Sequence, residues 1–329
     1  MHVISSLFIL ALLIGLVFLG VGVLDLQYLF GVIIPYAAIT LFLAGVILKV
    51  LKWAGAPVPF RIPTTCGQQK SLSFIKADNL EAPHNIWGVL GRMILEVFFF
   101  RSLFRNTKTE IKDEKIVYGS DKLLWAAGLA FHYSFLFIFL RHFKFFAEPV
   151  PQLMSIMQKL DGFFQIGVPE LFLTDIVFIG AVTVLFIRRV VIPQVRYISL
   201  PADYFPLYLI LGIGGTGICM RYFSKVDIVA IKQLATGLIS LNPIVPEGIG
   251  IMFFIHFFLV CVLFVYFPFS KLMHFAGVFM SPTRNLINNS RVKRHINPWN
   301  PEVKVHTYAE WEDEFREVMK DAGMPLEKE

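Results

Sequence analysis

Eight histidines occur in the 329-residue chain. Four of them fall inside long apolar runs, where an ionisable side chain is costly and marks function. His132 and His142 lie in one run, His256 and His274 in another. Ten residues separate the first two, about 15 Å along a helix, with the rings in neighbouring sectors of one side. Eighteen separate the second two, which is five whole turns, one shared face and about 27 Å. Two helices that each carry one His near either membrane surface can supply two stacked imidazole pairs. A pair of imidazoles facing across a bundle is a bis-His haem site with both axial positions filled. Antiparallel helices pair them by depth, His142 with His256 on the outer side and His132 with His274 on the inner side. The two separations do not match, and helix tilt or a kink at Pro268 would absorb the difference. A single haem on His142 and His256 is the alternative, and a haem-free proton channel or transporter using the same histidines as relays is the rival from another class. His2, His84, His295 and His306 lie outside the runs and read as ordinary surface or interfacial residues.

The elements that must position these rings follow from composition. Hydrophobic residues make up 56% of the chain and charged residues 16%, against about 25% charged in a soluble domain. Mean hydropathy is +0.65. That excludes a soluble enzyme, a disordered chain and a disulfide-stapled secreted domain. It leaves an all-α integral membrane protein, because helices satisfy their own backbone groups in lipid. Six runs suit transmembrane helices, at 3–24, 28–48, 123–146, 171–192, 204–222 and 250–275. The expected plan is a six-transmembrane-helix bundle with four parts. These are an N-terminal helix pair (1–48), a long loop (49–122), a haem-b domain of four helices (123–275) and a C-terminal tail (276–329). A seventh apolar run at 86–100 is short and broken by Arg92, Glu96 and then Arg101, so it reads as a helix lying at the interface. The first run begins without Lys or Arg and has no small-residue cleavage site after it, so it reads as a retained helix and not a signal peptide.

Charge sets the expected orientation. Of the 30 Lys and Arg, 24 lie in 49–122, in the link between the fourth and fifth runs and beyond 270, while four lie in the opposite loops. By the positive-inside rule both termini are cytoplasmic in a multi-pass cell-membrane protein. The polar stretches 61–70, 281–285 and 291–295 and an acidic helix around 310–320 suggest a docking surface for another subunit, and nothing points to nucleic acid. Cys66, Cys219 and Cys261 lack CxxC spacing, so neither a zinc site nor a cysteine-held cluster is encoded. The glycine run 212–217 mimics a phosphate-binding loop, but it sits inside an apolar run with no strand before it and reads as close helix packing. Arg141 and Lys144 flank His142; they could balance haem propionates or contact a quinone, or simply snorkel to the surface. Trp125 and Tyr133 read as aromatic-belt residues. Asp175 and Glu148 read as helix-end carboxylates with a possible second use in accepting quinol protons.

The His-x9-His run followed by the His-x17-His run resembles the haem-b membrane subunit of respiratory nitrate reductase over residues 120–280. The 63–69 loop, Pro-Thr-Thr-Cys-Gly-Gln-Gln, and the 281–285 tail, Ser-Pro-Thr-Arg-Asn, are similar to the DsrM family, the cytochrome-b-like subunits of DsrMKJOP complexes in sulfur-metabolising prokaryotes. The resemblance implies two b haems ligated as paired above and electron exchange with menaquinone. It also implies a cytoplasmic iron–sulfur partner of the DsrK type, similar to heterodisulfide reductase, with the complex's other membrane and extracytoplasmic subunits beyond. On this reading the chain is an electron-transfer subunit of a membrane-bound oxidoreductase. With Arg141 and Lys144 beside the outer pair, the expected menaquinone site lies near His142, with Arg141 as first contact and Lys144 as second.

Overall fold

The structure, a computed structural model, describes residues 2–58, 67–164, 170–293, 302 and 304–328. Residues 61–66 of the expected loop motif, Cys66 among them, and His295 lie outside these. The first two apolar runs form α1, His2–Gly22, and α2, Ile34–Ala54, the latter entered through a π-helical turn at Leu29–Ile33. Asp25 makes the tight link between them at φ 53°, a left-handed conformation that Asp tolerates better than most residues.

The run at 86–100 forms α3, Ile86–Phe99, capped by Asn85, whose side chain accepts from the Gly88 N–H at 2.8 Å. Phe100, at φ 50°, breaks it, and the single turn α4, Arg101–Phe104, leaves in a new direction. Val89, Arg92 and Glu96 are buried on one face of α3, while Trp87, Leu90, Ile94 and Phe98 are exposed on the other. This helix therefore turns its charges toward protein and its apolar stripe outward. Arg92 donates to the Thr283 carbonyl at 3.1 Å, and Glu96 accepts from Ser102 and faces Arg284 at 3.8 Å. Glu81 pairs with Arg101 and Arg105, and the Asn288 N–H donates to the Pro83 carbonyl. Loop and tail are thus joined around α3 into one polar cap.

Next come strands β1, Thr107–Lys112, and β2, Lys115–Ser120, an antiparallel hairpin the sequence analysis did not foresee. Asp113 and Glu114 both take positive φ at its tip, the two-residue turn whose twist suits a hairpin. The membrane region then runs through α5, Lys122–His142; α6, Gln152–Asp161; the short pair β3, Gly162–Phe164, and β4, Leu171–Phe172; α7, Leu173–Val191; α8, Pro193–Ile198; and α9, Pro201–Tyr222. After it come α10, Ile228–Ile239; α11, Ile251–Tyr266; α12, His274–Gly277; and, in the tail, α13, Tyr308–Asp321, where the acidic helix was expected.

Among the described residues, five helical segments are long and apolar enough to cross a membrane: His2–Gly22, Leu29–Ala54, Lys122–Phe145, Pro201–Tyr222 and Ile251–Phe269. The expected fourth span exists as α7, a 19-residue helix, but with three charged residues, Asp175, Arg188 and Arg189, it is not among those five. Helices α1, α2, α9 and α11 pack on one another around Val17, Phe30, Leu209, Phe254 and Leu259, and α7 joins α9 to α5. The unforeseen α10, capped by Asp227, pushes Leu234 into the same core. Exposed Phe8, Leu12, Phe18, Leu41 and Ile47 leave an apolar exterior, as a lipid-facing bundle requires.

One element departs from expectation. The 250–275 run is not a single helix. Pro268 has no N–H to continue an α-helical ladder. The chain passes through a 3-10 turn at Phe267–Phe269, and Ser270 is extended, with φ −116° and ψ 177°. The Ser270 hydroxyl then accepts from the Leu272 N–H at 3.2 Å and starts a new turn. Gly45 of α2 makes room for this corner, since a Cβ there would lie 2.7 Å from the Pro268 Cβ. His274 therefore stands on α12, and the shared-face argument linking it to His256 through five turns of one helix is overturned.

Candidate cofactor site

Each of the four histidines is fixed in the same way. His132 Nδ1 lies 2.7 Å from the Gly128 carbonyl and His142 Nδ1 lies 2.7 Å from the Ile138 carbonyl, each one turn back on α5. His256 Nδ1 reaches the Ile213 carbonyl of α9 at 3.0 Å, and His274 Nδ1 reaches the Lys271 carbonyl at 3.0 Å. A carbonyl can only accept, so Nδ1 carries the proton in all four. Each Nε2 then keeps a lone pair, the tautomer a metal-ligating imidazole needs. Thr216 adds a second contact to His256, its Oγ1 3.0 Å from Nδ1, while its own proton goes to the Gly212 carbonyl at 2.7 Å.

The fold brings the rings together by depth. His142 and His256 have ring centres 6.3 Å apart and planes within 10° of parallel. His132 and His274 are 5.8 Å apart with planes at 85°. The break after Pro268 is what delivers His274 to His132, which one straight helix could not do. Imidazole nitrogens bond metals at about 2.0–2.1 Å, the value for zinc, so two rings sharing one ion have centres on the order of 6 Å apart. Both pairs fit that spacing. The helices that carry them, α5 on one side and α11 and α12 on the other, do not pack closely across the pairs among the described residues. A Cβ at Gly217 would come to 3.4 Å from the His256 ring. The residues present therefore suit a planar cofactor clasped between two histidines at each level. Gly212 and Gly214 of the 212–217 run meet Leu10, Leu259 and Phe178 closely, which is helix packing, while Gly215 faces open space.

The surroundings differ at the two levels. At the His142 and His256 pair, Arg141 is buried between two carboxylates, with Nη1 2.7 Å from Asp161 and Nη2 2.6 Å from Asp175. Asp175 also accepts from the Tyr222 hydroxyl at 2.9 Å. Phe172 is sandwiched by two guanidinium groups, Arg141 at 3.9 Å and Arg221 at 3.7 Å. This arrangement gives Arg141 a structural partner on each side and makes Asp175 more than a helix-end residue. Lys144 makes only a long hydrogen bond, 3.5 Å, to Gln158 and lies over the Phe145 ring. Glu148 pairs with Lys232. At the inner pair, Phe100 and Phe131 stand edge-on to His132. Trp125 and Tyr133 donate to the carbonyls of Phe99 and Phe98 at 2.8 and 3.0 Å, so the end of α3 is clamped onto α5 beside His132. At the same end, Arg188 pairs with Asp121, and Asp203 lies between Arg189 and Lys271.

Thr216, Asp161, Arg221 and Tyr222 carry no signal in the sequence, where they are single polar residues in apolar surroundings. They take on a role only because α6, α7 and α9 end beside His142 and His256.

Comparison with known proteins agrees with this architecture. Residues 84–295 match the family described as nitrate reductase gamma subunit. The chain is 42% identical over 280 residues to an Hdr-like menaquinol oxidoreductase cytochrome b-like subunit of Archaeoglobus fulgidus, covering 83% of this chain and 84% of that one. It is 39% identical over 276 residues to the protein of the same description in Archaeoglobus profundus, covering 82% of each. A bundle whose paired histidines sit within the matched segment, joined to relatives along most of their length, belongs to the nitrate reductase gamma subunit family.

Proposed function

We propose that this chain is a dihaem cytochrome b, exchanging electrons between menaquinone in the membrane and a soluble iron–sulfur subunit. The observation that carries the proposal is that all four intramembrane histidines are locked at Nδ1 and meet in two pairs at metal-sharing distance. Haem held by two histidines has no open iron position, so it supplies one-electron transfer and not oxygen chemistry. The printed names of the relatives, menaquinol oxidoreductase subunits, support the quinone.

This chain's residues do the rest. Backbone carbonyls orient the four rings. Arg141, Asp161 and Asp175 brace the outer end of the bundle. Lys144, two residues beyond His142, holds a quinone oxygen by donating a hydrogen bond to it, an interaction that a low-dielectric site strengthens. Asp175 and Tyr222 lie close enough to take and pass the protons a quinol must release. The proposed topology has six crossings of the cell membrane, with α7 as the sixth and both termini cytoplasmic. The parts follow as a helix pair (1–48), a docking loop (49–122), a haem domain (123–275) and a docking tail (276–329). The Hdr-like wording of the relatives' names supports a heterodisulfide-reductase-like partner of the DsrK type, within a DsrMKJOP-like complex of dissimilatory sulfur metabolism.

A pyridine haemochrome assay with redox titration tests the reading. Two b haems per chain are expected. His142→Ala or His256→Ala removes the outer one and His132→Ala or His274→Ala the inner one, each leaving its neighbour. A colourless pure protein overturns haem in favour of a histidine proton relay, and loss of both haems in every single variant overturns the pairing by depth.

A further inference from the structure

A cavity of about 440 Å³ opens at the start of α3, between the loop and the tail, away from both histidine pairs. Its lining includes Lys70 from the loop, His84, Asn85 and Ile86 at the helix start, and Asn289 and Lys293 from the tail; among the described residues no carboxylate lines it. The hydrogen bonding fixes the state of His84. Asn85 Oδ1 accepts from the Gly88 N–H at 2.8 Å, which turns the Asn85 amide nitrogen toward His84 Nε2 at 3.4 Å. An amide nitrogen only donates, so Nε2 accepts and the ring proton sits on Nδ1. Among the described residues, His84 Nδ1 is buried and without a hydrogen-bond partner. A buried donor left unsatisfied is destabilising, so this site calls for an acceptor. Two ammonium groups and the positive end of the 14-residue α3 converge on the same space, and all of them favour an anion.

The outward stripe of α3 says what the anion is attached to. Trp87, Leu90, Ile94 and Phe98 run along one side of the helix away from the cavity mouth, and Trp87 is 76% exposed. Apolar surface beginning at a cationic cavity, on a helix beside a membrane bundle, matches a phospholipid whose phosphate enters the cavity while its chains lie along α3. We propose that the cavity formed by Lys70, His84 and Lys293 binds a phosphate-type oxyanion, carried by an anionic phospholipid headgroup.

Isothermal titration calorimetry on the full chain in a neutral detergent tests this with three probes: dihexanoyl phosphatidylglycerol, dihexanoyl phosphatidylcholine and inorganic phosphate. Saturable binding of phosphatidylglycerol at one site per chain is expected. The paired change Lys70→Gln, Lys293→Gln, at exposed positions that do not endanger folding, is expected to weaken it at least tenfold, equivalent to about 1.4 kcal/mol. His84→Phe, which keeps the ring and removes the donor, weakens it as well. Trp87→Ala is expected to weaken the lipid and leave inorganic phosphate unaffected. Inorganic phosphate binding as tightly as the lipid, with the same sensitivity to the lysines, keeps the oxyanion site and assigns it to free phosphate. Equal binding of the two lipids, indifference to the lysine pair, or no binding by any probe overturns the site.

Discussion

Arg141 stands between Asp161 and Asp175, and at this scale one guanidinium decides whether two buried carboxylates are tolerable. Removing one partner of a buried ion pair costs about 3–5 kcal/mol because a charge is left uncompensated. Arg141→Ala is therefore expected to lower the melting temperature sharply, while Asp175→Asn costs less because Arg141 keeps Asp161. Lys144→Ala touches no such network and is expected to change stability by about 0.5 kcal/mol or less. It should slow haem reduction by a menaquinol analogue about tenfold, or about 1.4 kcal/mol at the barrier. Unchanged reduction places the quinone elsewhere. The ring planes give a second outcome. Parallel imidazoles, as at His142 and His256, lift the degeneracy of the iron orbitals that point between the ligands. Perpendicular ones, as at His132 and His274, preserve it. Electron paramagnetic resonance of the oxidised protein is expected to give two distinct low-spin signals, the more anisotropic one lost in His132→Ala; a single signal type contradicts the two geometries. The four histidines were legible in the sequence because polar rings inside apolar runs are conspicuous. Asp161 and Tyr222 were not, since Asp161 meets Arg141 across 20 residues of chain and Tyr222 meets Asp175 across 47, and nothing local announces it.

At the scale of elements, the corner after α11 does the positioning. Proline and an extended serine stop the helix and set α12 down beside α5. Pro268→Ala lets helical hydrogen bonding continue and draws His274 from His132, so the inner haem is expected to fall by roughly half or more while the outer one stays. Haem content with a redox titration resolves the two. Gly45→Val presses on the same corner from α2 and is expected to cost about 1–3 kcal/mol through overpacking, read from thermal unfolding. The sequence pointed to Pro268 as a kink, yet periodicity alone extended the helix past it, because the residues on both sides are equally apolar. The hairpin at 107–120 escaped notice for a related reason. Its strands are mostly exposed, Lys-rich and lack alternation against a core, and its turn is Asp-Glu instead of the Asn-Gly that marks such turns. The five long spans were plain because length and apolar content suffice to define them.

For the whole molecule, the loop and the start of the tail are joined around α3 into one body by Arg92 with Thr283 and Gln69 with Ser290, and Trp125 and Tyr133 tie α3 to α5. Gly67 is a test of that body. It holds φ +78°, and a side chain there would run into Glu81, the residue that pairs with Arg101 and Arg105. Gly67→Ala should loosen the cap by about 1 kcal/mol or more. On the proposal that this cap docks an iron–sulfur subunit, the partner is expected to be lost on co-purification while both haems remain, and deletion of 61–75 should do the same more severely. Retention of the partner in both variants moves the docking surface elsewhere. The sequence suggested a docking surface from charge alone; that Gln69 and Ser290, 221 residues apart, share a hydrogen bond is a fact only the fold supplies.

Both histidine pairs draw one ring from α5 and the other from beyond residue 250. That division has a meaning in time. A chain emerging from the ribosome and threading into the bilayer has half of each clasp long before it has the other half. On the proposed reading, loading waits for α11 and α12, and any chain cut short by a nonsense codon before α11 is born empty at both levels.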